Sequence, residues 1–325
     1  MKAAILNKLG TAPVYGDINE PDIQNEAQIL VHVKAAAIHN LDKGRASGSH
    51  YANYTNLPTA VGFDGVGQLE DGTHVYAQGI TGMMAEKALI DKQKYVEVPP
   101  DLDLALAAAL PNATLGSVMA LLFRAKLQQG EVILINGATG VTGNLAFQLA
   151  KHYGASEIIA TGRNEELLGQ LKVLGATKTI SLKQSDDEIL SQLQEINLQT
   201  PINVVVDYLW GKPTELILTA LSKKSGPFAP RVRFVTVGEM AGANINLPSG
   251  ILRSSGIEIM GSGIGSLSLS DLTAYNTKVL PEVFELASKG IIKMNIQKEN
   301  ISDIESLWSK QAEPGGKIVV QIGQG

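Results

Sequence analysis

Cysteine is absent from all 325 residues of this sequence. That absence excludes disulfides, thiol nucleophiles, iron–sulfur clusters and every zinc site that is built on thiolates. The sequence holds only 5 histidines, and none stands in a close metal-binding spacing such as HExxH. We therefore expect no metal site.

Aromatic residues and positive charge are also scarce. Aromatics make up 5% of the chain, and 32 Asp and Glu residues outnumber 27 Lys and Arg residues, for a formal charge of −5. An acidic balance argues against a nucleic-acid-binding face or a polybasic membrane surface. The N-terminal residues 1–8 show no signal-peptide pattern. We expect a cytoplasmic protein with no nucleic-acid partner and no membrane partner.

The chain changes character along its length, which predicts two domains. Residues 1–112 favour short strands between glycine turns, and residues 104–122 favour two linking helices that Pro111 and Gly116 interrupt. Near the C-terminus we expect a helix over 271–289 and a strand over 317–322 that returns to the first domain. The predicted domains are therefore 1–112 with 266–325, and 113–265.

The second domain alternates strands with helices. Such alternation predicts a doubly wound parallel sheet with right-handed crossovers. The predicted strands are Val132–Asn136, Glu157–Thr161, Lys178–Ser181, Asn203–Asp207, Arg231–Val237 and Gly256–Gly261.

A glycine-rich turn follows the first of these strands and leads into a helix. Glycines at such a turn let the backbone approach a pyrophosphate, which the free N–H groups of the helix N-terminus then bind. The spacing is GxxGxxG, so its position between a strand and a helix carries the prediction. The alternative is a strand–helix turn that binds nothing. The predicted dinucleotide-binding residues are Gly137, Ala138, Thr139, Gly140, Val141, Thr142 and Gly143.

The end of the second strand predicts which dinucleotide is bound. An NAD site usually carries an acid there, but this strand ends in Gly162 and Arg163. A guanidinium at this point suits a 2′-phosphate and favours NADPH. The alternative is that Arg163 pairs with Glu165 or Glu166. We expect further cofactor contacts in the loops after the fifth and sixth strands, at Val237, Gly238, Gly261, Ser262 and Gly263.

Landmarks along the whole chain make it similar to a known family. They are residues 35–42, 57–67 and 107–111, the glycine turn with residues 150–155, and residues 174–176. With these the chain resembles the medium-chain dehydrogenase/reductases, and among them the zinc-independent quinone oxidoreductase-like branch of NADPH:quinone reductases and zeta-crystallin. The resemblance implies an α/β protein: a GroES-like β-barrel catalytic domain plus a Rossmann domain, with cofactor and substrate in the cleft between them.

The resemblance also implies the chemistry. Zinc alcohol dehydrogenases of this superfamily carry Gly-His-Glu where this chain has Gly62, Phe63 and Asp64, so no zinc is expected. The implied activity is hydride transfer from NADPH to a quinone or an α,β-unsaturated carbonyl, by a homodimer. Two alternatives stay open: a relative of the zinc-type alcohol dehydrogenases, and a non-catalytic NADPH-binding protein like the crystallins.

Four residues are candidates to stabilise the substrate oxygen. The resemblance places His39, Asn40, Tyr51 and Tyr54 in a region that lines the substrate cleft. Without a metal or a thiol, hydrogen-bond donors must stabilise the negative charge that develops on that oxygen. The alternative is that these are ordinary loop residues that bond to backbone groups.

Overall fold

The computed structural model describes residues 1–50, 52–222 and 230–323, apart from the side chain of Ile264. Its strands, in chain order, are β1 (Lys2–Leu6), β2 (Val14–Asp17), β3 (Gln28–Ala37), β4 (Thr59–Ala60), β5 (Asp64–Gln68), β6 (His74–Gly79), β7 (Lys87–Glu97), β8 (Val132–Asn136), β9 (Glu157–Gly162), β10 (Lys178–Ser181), β11 (Val204–Asp207), β12 (Arg231–Thr236), β13 (Gly256–Gly261), β14 (Asn295–Asn300) and β15 (Gly316–Gln321).

The helices are α1 (Asn40–Ser47), α2 (Leu104–Val118), α3 (Val141–His152), α4 (Glu165–Leu174), α5 (Asp186–Gln199), α6 (Gly211–Ser222), α7 (Ser249–Arg253), α8 (Leu269–Ala274), α9 (Leu280–Ser288) and α10 (Ile304–Ser309). The chain divides into two compact units. The first unit comprises Met1–Asn112 and Thr273–Gly325, and the second comprises Ala113–Leu272.

The first unit is built around a small antiparallel barrel. The six-stranded sheet of this unit has the order β14-β15-β3-β5-β6-β7, in which β14 and β15 are parallel and the other neighbours antiparallel, and an additional pairing of β3 with β7 closes the barrel. Alternation along β3 explains the core, because Val31 and Val33 are buried while His32 between them is exposed. The C-terminal strand β15 pairs with β3. The predicted return of the tail to the first domain is confirmed.

The second unit is a doubly wound sheet with the order β10-β9-β8-β11-β12-β13. All its strands run parallel, so their carboxyl ends lie along one edge. The central strand β8 is buried over its whole length, as expected for a strand covered on both faces. This order places the switch point, where α/β sheets bind dinucleotides, between the carboxyl ends of β8 and β11. The predicted fold class is confirmed.

The predicted interruption of the linking helices is wrong. Helix α2 runs through Pro111 and continues as a π-helical turn over Met119–Arg124. Proline removes one N–H from the helix, but the surrounding Ala and Leu residues are strong helix formers and largely buried. Leu104–Arg124 is long and apolar enough to cross a membrane, and 67% of its most apolar window is buried inside the protein, as in a core helix.

Candidate active site

The glycine turn after β8 has the geometry that close approach of a ligand requires. Gly137 has φ 90°, in the left-handed region that glycine adopts most readily. A Cβ on Gly143 would lie 2.3 Å from the Gly137 carbonyl oxygen, so the turn cannot hold any other residue there without moving. Gly140 is the N-cap of α3 and donates to the Gly137 carbonyl at 3.1 Å. The chain thus turns tightly from β8 into α3.

The first turn of α3 presents unpaired donors. Among the described residues, the backbone N–H groups of Val141, Thr142 and Gly143 have no hydrogen-bond acceptor, and no side chain caps the helix. Such N–H groups, together with the positive end of the helix dipole, bind the phosphates of dinucleotides. Ala138, by contrast, donates to the carbonyl of Thr161 at 2.8 Å, which ties the turn to β9. The turn fits a pyrophosphate.

The tip of β9 carries a cation and no acid. Gly162 packs closely on the glycine turn, since a Cβ there would lie 2.5 Å from the Thr139 side chain. Arg163 is exposed, and its guanidinium forms no hydrogen bond or ion pair within the part of the chain that the structure describes. Glu165 instead accepts from the Ser181 hydroxyl at 3.3 Å. The alternative pairing of Arg163 with Glu165 or Glu166 is therefore not formed.

The loops that follow β12 and β13 begin at the carboxyl ends of the parallel strands, as the glycine turn does. The N–H groups of Val237 and Gly238 both approach the Asp207 carbonyl, at 2.7 and 3.4 Å. Ser262 donates its N–H to the Thr236 carbonyl at 2.8 Å, and its buried Oγ lacks a partner within the described chain. Gly261 and Gly263 face open space.

Two further residues near the carboxyl ends of these strands, Tyr208 and Ser117, are not among the candidates predicted from the sequence. Tyr208 follows β11, and its buried hydroxyl has no hydrogen-bond partner among the residues described. Burial raises the pKa of Tyr208 well above its usual value, so its phenol stays protonated. The Ser117 hydroxyl donates to the Thr142 carbonyl at 2.8 Å. A tyrosine directly after a predicted parallel strand was the signal that could have identified Tyr208.

In the first unit, His39 lies in a buried polar cluster. Its Nε2 is 2.9 Å from Asp64 Oδ1, and the Tyr76 hydroxyl donates to Asp64 Oδ2 at 2.8 Å. His39 and Asp64 are each only 1% exposed. Burial, with the nearby Asp64 carboxylate, raises the pKa of Tyr76 well above its usual value, so Tyr76 remains a donor. His39 Nδ1 has no partner among the described residues.

Asp42 ties the start of α1 to the segment before β5. Its two oxygens accept from the backbone N–H of His39 at 2.9 Å and of Phe63 at 2.8 Å. The pKa of this buried carboxyl is raised because burial disfavours its charged form. Asp42 therefore holds the segment that carries the candidate donors.

The other candidate donors have different surroundings. Asn40 is exposed at the first position of α1. The hydroxyl oxygen of Tyr54 accepts from the Gly62 N–H at 3.3 Å, which leaves the hydroxyl proton of Tyr54 available to donate. The Arg45 guanidinium lies 4.5 Å from the centre of the Tyr54 ring. Tyr51 lies outside the described residues. Within the described ranges, no group of three or more His, Asp and Glu side chains is arranged to hold a metal.

Comparison with known proteins supports the assignment of the fold. Residues 141–285 match the family model described as zinc-binding dehydrogenase. A Thermus thermophilus quinone oxidoreductase, whose structure was also solved with NADPH, superposes with a TM-score of 0.74 at 24% identity, over 99% of this chain and 100% of that one. Residues 141–285 therefore resemble the zinc-binding dehydrogenases, and the whole chain shares the fold of the quinone oxidoreductases.

Two curated proteins are similar to this chain in sequence. An Arabidopsis thaliana chloroplastic NADPH-dependent alkenal/one oxidoreductase is 33% identical over 220 residues, which span 60% of this chain and 56% of that protein. An Emericella nidulans protein named as a probable NADPH-dependent quinone reductase is 25% identical over 348 aligned positions, covering 95% of this chain and 96% of that protein.

Proposed function

We propose that this protein is an NADPH-dependent reductase that transfers a hydride to a quinone or to the β-carbon of an α,β-unsaturated carbonyl. One observation carries the cofactor assignment. The N–H groups at the start of α3 and the guanidinium of Arg163 at the tip of β9 have no partner among the described residues, and the β9 tip has no acid. The substrate class is supported by similar proteins that are named as quinone and alkenal/one reductases.

The second unit would hold the cofactor through its own backbone and one side chain. The N–H groups of Val141, Thr142 and Gly143 would bind the pyrophosphate, and Arg163 would bind the 2′-phosphate. The buried Oγ of Ser262 and the hydroxyl of Tyr208 supply polar atoms at the carboxyl ends of β13 and β11. Bound NADPH supplies the hydride.

On the substrate side, the first unit would supply hydrogen bonds. Hydride addition leaves negative charge on the carbonyl oxygen, and a preorganised donor lowers the barrier. Asn40 has an exposed amide, and Tyr54 keeps a free hydroxyl proton. His39 is buried against Asp64, so we assign it a supporting position behind these two donors. Tyr51 stays a candidate from the sequence.

We propose that the reaction proceeds without zinc. Phe63 stands where the zinc enzymes of the superfamily have histidine, and the sequence contains no cysteine. The decisive assay follows NADPH oxidation with a quinone, an enone and the matching saturated ketone, with and without a chelator. Reduction of the first two alone, unaffected by the chelator, is the expected result. Reduction of the saturated ketone that the chelator abolishes would favour a zinc-type alcohol dehydrogenase, and binding of NADPH without turnover would favour a crystallin-like role.

We also propose a homodimer in the cytoplasm, with no nucleic-acid or membrane partner. The edge position of β13 in the sheet supports pairing of two copies there, because an uncovered apolar edge invites pairing. The formal charge of −5 supports the absence of a nucleic-acid partner.

A further inference from the structure

The chain that leaves β10 passes beside the tip of β9. Ser181 is the register partner of Gly162, and the N–H of Leu182 donates to the Gly162 carbonyl at 2.8 Å. Continuing this register places Leu182 opposite Arg163, and neighbouring strands lie about 4.8 Å apart. Lys183 follows Leu182 and is therefore one residue beyond the position opposite Arg163.

Lys183 is held in place through its backbone and is free at its side chain. Its N–H donates to the Ser181 hydroxyl at 3.4 Å, which forms a short turn directly after the strand. The ammonium group is exposed and has no ion pair or hydrogen bond among the residues described. The guanidinium of Arg163 is likewise exposed and has no ion pair or hydrogen bond among the described residues. Two uncommitted cations therefore stand at the ends of adjacent strands.

Among the described residues, no carboxylate of the surrounding segments pairs with Arg163 or Lys183. Glu165 accepts from the Ser181 hydroxyl, Asp186 pairs with Lys212 at 3.4 Å, and Glu188 accepts from Ser185 at the start of α5. The exposed Glu166 and Asp187 do not come within ion-pair distance of either cation in the described chain. Both positive charges are thus available to an anion.

We propose that Lys183 joins Arg163 in binding the 2′-phosphate of NADPH and so helps to set the preference for NADPH over NADH. This inference rests on the proposed function. A phosphate monoester carries nearly two negative charges at neutral pH, which two cations balance better than one. Arg163 offers a planar fork and Lys183 a compact charge, so the two side chains contribute differently to one site.

The test compares Lys183→Gln with Lys178→Gln, an exposed lysine at the opposite end of the same strand. Binding of adenosine 2′,5′-bisphosphate, NADPH and NADH is measured by calorimetry at low and at moderate salt. We expect Lys183→Gln to weaken adenosine 2′,5′-bisphosphate and NADPH about three- to tenfold, more at low salt, and to leave NADH unchanged. Lys178→Gln should leave all three affinities unchanged.

Unchanged affinity of Lys183→Gln for adenosine 2′,5′-bisphosphate at low salt would overturn the role of Lys183, and so would an equal loss of NADH affinity. Both results leave the proposed function intact if the wild-type protein still prefers NADPH. A wild-type protein that binds NADPH no better than NADH would instead contradict the proposed NADPH preference, on which the role of Lys183 depends. An unaltered melting temperature of the variant shows that its fold is preserved.

Discussion

The side-chain amide of Asn136 donates to a carboxylate oxygen of Asp207 at 2.7 Å and joins the carboxyl ends of β8 and β11. The Asn136 oxygen accepts from the Thr161 hydroxyl at 2.6 Å, and the same hydroxyl oxygen accepts from the Gly137 N–H at 3.2 Å. This buried chain of polar groups crosses three adjacent strands and ends at the first residue of the glycine turn. It fixes the position of the turn.

Asn136→Ala should therefore destabilise the protein by about 2–4 kcal/mol, because it leaves the buried Thr161 hydroxyl and one Asp207 oxygen with fewer partners. Denaturant unfolding measures the loss, and titration with NADPH should show weaker binding as the turn loosens. Asn56→Ala, in an exposed loop, serves as the control. Wild-type stability in Asn136→Ala would show that the polar chain contributes nothing.

Arg163→Ala should remove most of the preference for NADPH over NADH. A charge-assisted contact to the 2′-phosphate contributes about 1–3 kcal/mol, and NADH lacks that phosphate. Fluorescence titration with both cofactors gives the two Kd values, and Arg253→Ala, an exposed arginine on α7, is the matched control. The assignment of Arg163 is wrong if its loss changes both affinities by the same factor.

Asn40→Ala and Tyr54→Phe should lower turnover more with an enone than with a quinone. A donor that contacts the developing oxyanion contributes about 10²–10³ in rate, and an electron-poor quinone needs less of this help. Steady-state kinetics with both substrates, alongside NADPH affinity, separates a loss of turnover from a loss of binding. Wild-type turnover of both substrates by both variants would contradict the proposed role of Asn40 and Tyr54 as hydrogen-bond donors.

Lys317→Met should stabilise the protein at neutral pH. Pairing of β15 with β3 places Val319 opposite Ala37, so Lys317 lies near the end of β3. Burial lowers the pKa of Lys317 from its usual 10.5, although Asp42 and Asp64 oppose this effect and Lys43 adds to it. The folded chain therefore binds this proton less tightly than the unfolded chain, and wild-type stability gains from this group as the pH rises.

The difference in unfolding free energy between Lys317→Met and the wild type should accordingly shrink between about pH 7 and about pH 10.5. Urea unfolding at both pH values measures it. Lys8→Met, at an exposed site, is the control substitution. A constant difference for Lys317→Met would mean that its ammonium is not desolvated in the folded state.

Size-exclusion chromatography with light scattering should find a dimer at micromolar concentration, and Met260→Lys should shift it toward the monomer. Met260 lies within the edge strand β13, where a cation discourages pairing with a second copy. The melting temperature of each sample shows whether the variant remains folded. A monomeric wild-type protein would contradict the proposed edge pairing.

The elements of the second unit could be predicted from the sequence with little error. Each of the six predicted parallel strands lies within one residue of its observed ends, because most of them are short apolar runs that end at Gly, Asn or Asp. The glycine turn was equally clear, since GATGVTG stands between a strand and a helix. Local patterns were sufficient for these features.

The polar contacts of the site could not be predicted in the same way. Asn136 and Asp207 are 71 residues apart, and His39 and Asp64 are 25 apart, so only the completed fold brings each pair together. The sequence does not identify Tyr76 as the hydrogen-bond partner of Asp64, because nothing distinguishes Tyr76 from an ordinary tyrosine in a strand. Helix α2 is continuous although the sequence predicts a break at Pro111, because the burial of its Ala and Leu neighbours outweighs the loss of one N–H.

The continuity of α2 affects how the protein can be divided for separate expression. Both crossings between the units fall inside helices: Asn112 and Ala113 are consecutive in α2, and Leu272 and Thr273 are consecutive in α8. A fragment cut at these points would begin and end with severed helical turns whose N–H and C=O groups have lost their partners. Asp103 accepts from the Leu106 N–H at the start of α2, so a fragment beginning there would keep its natural helix cap.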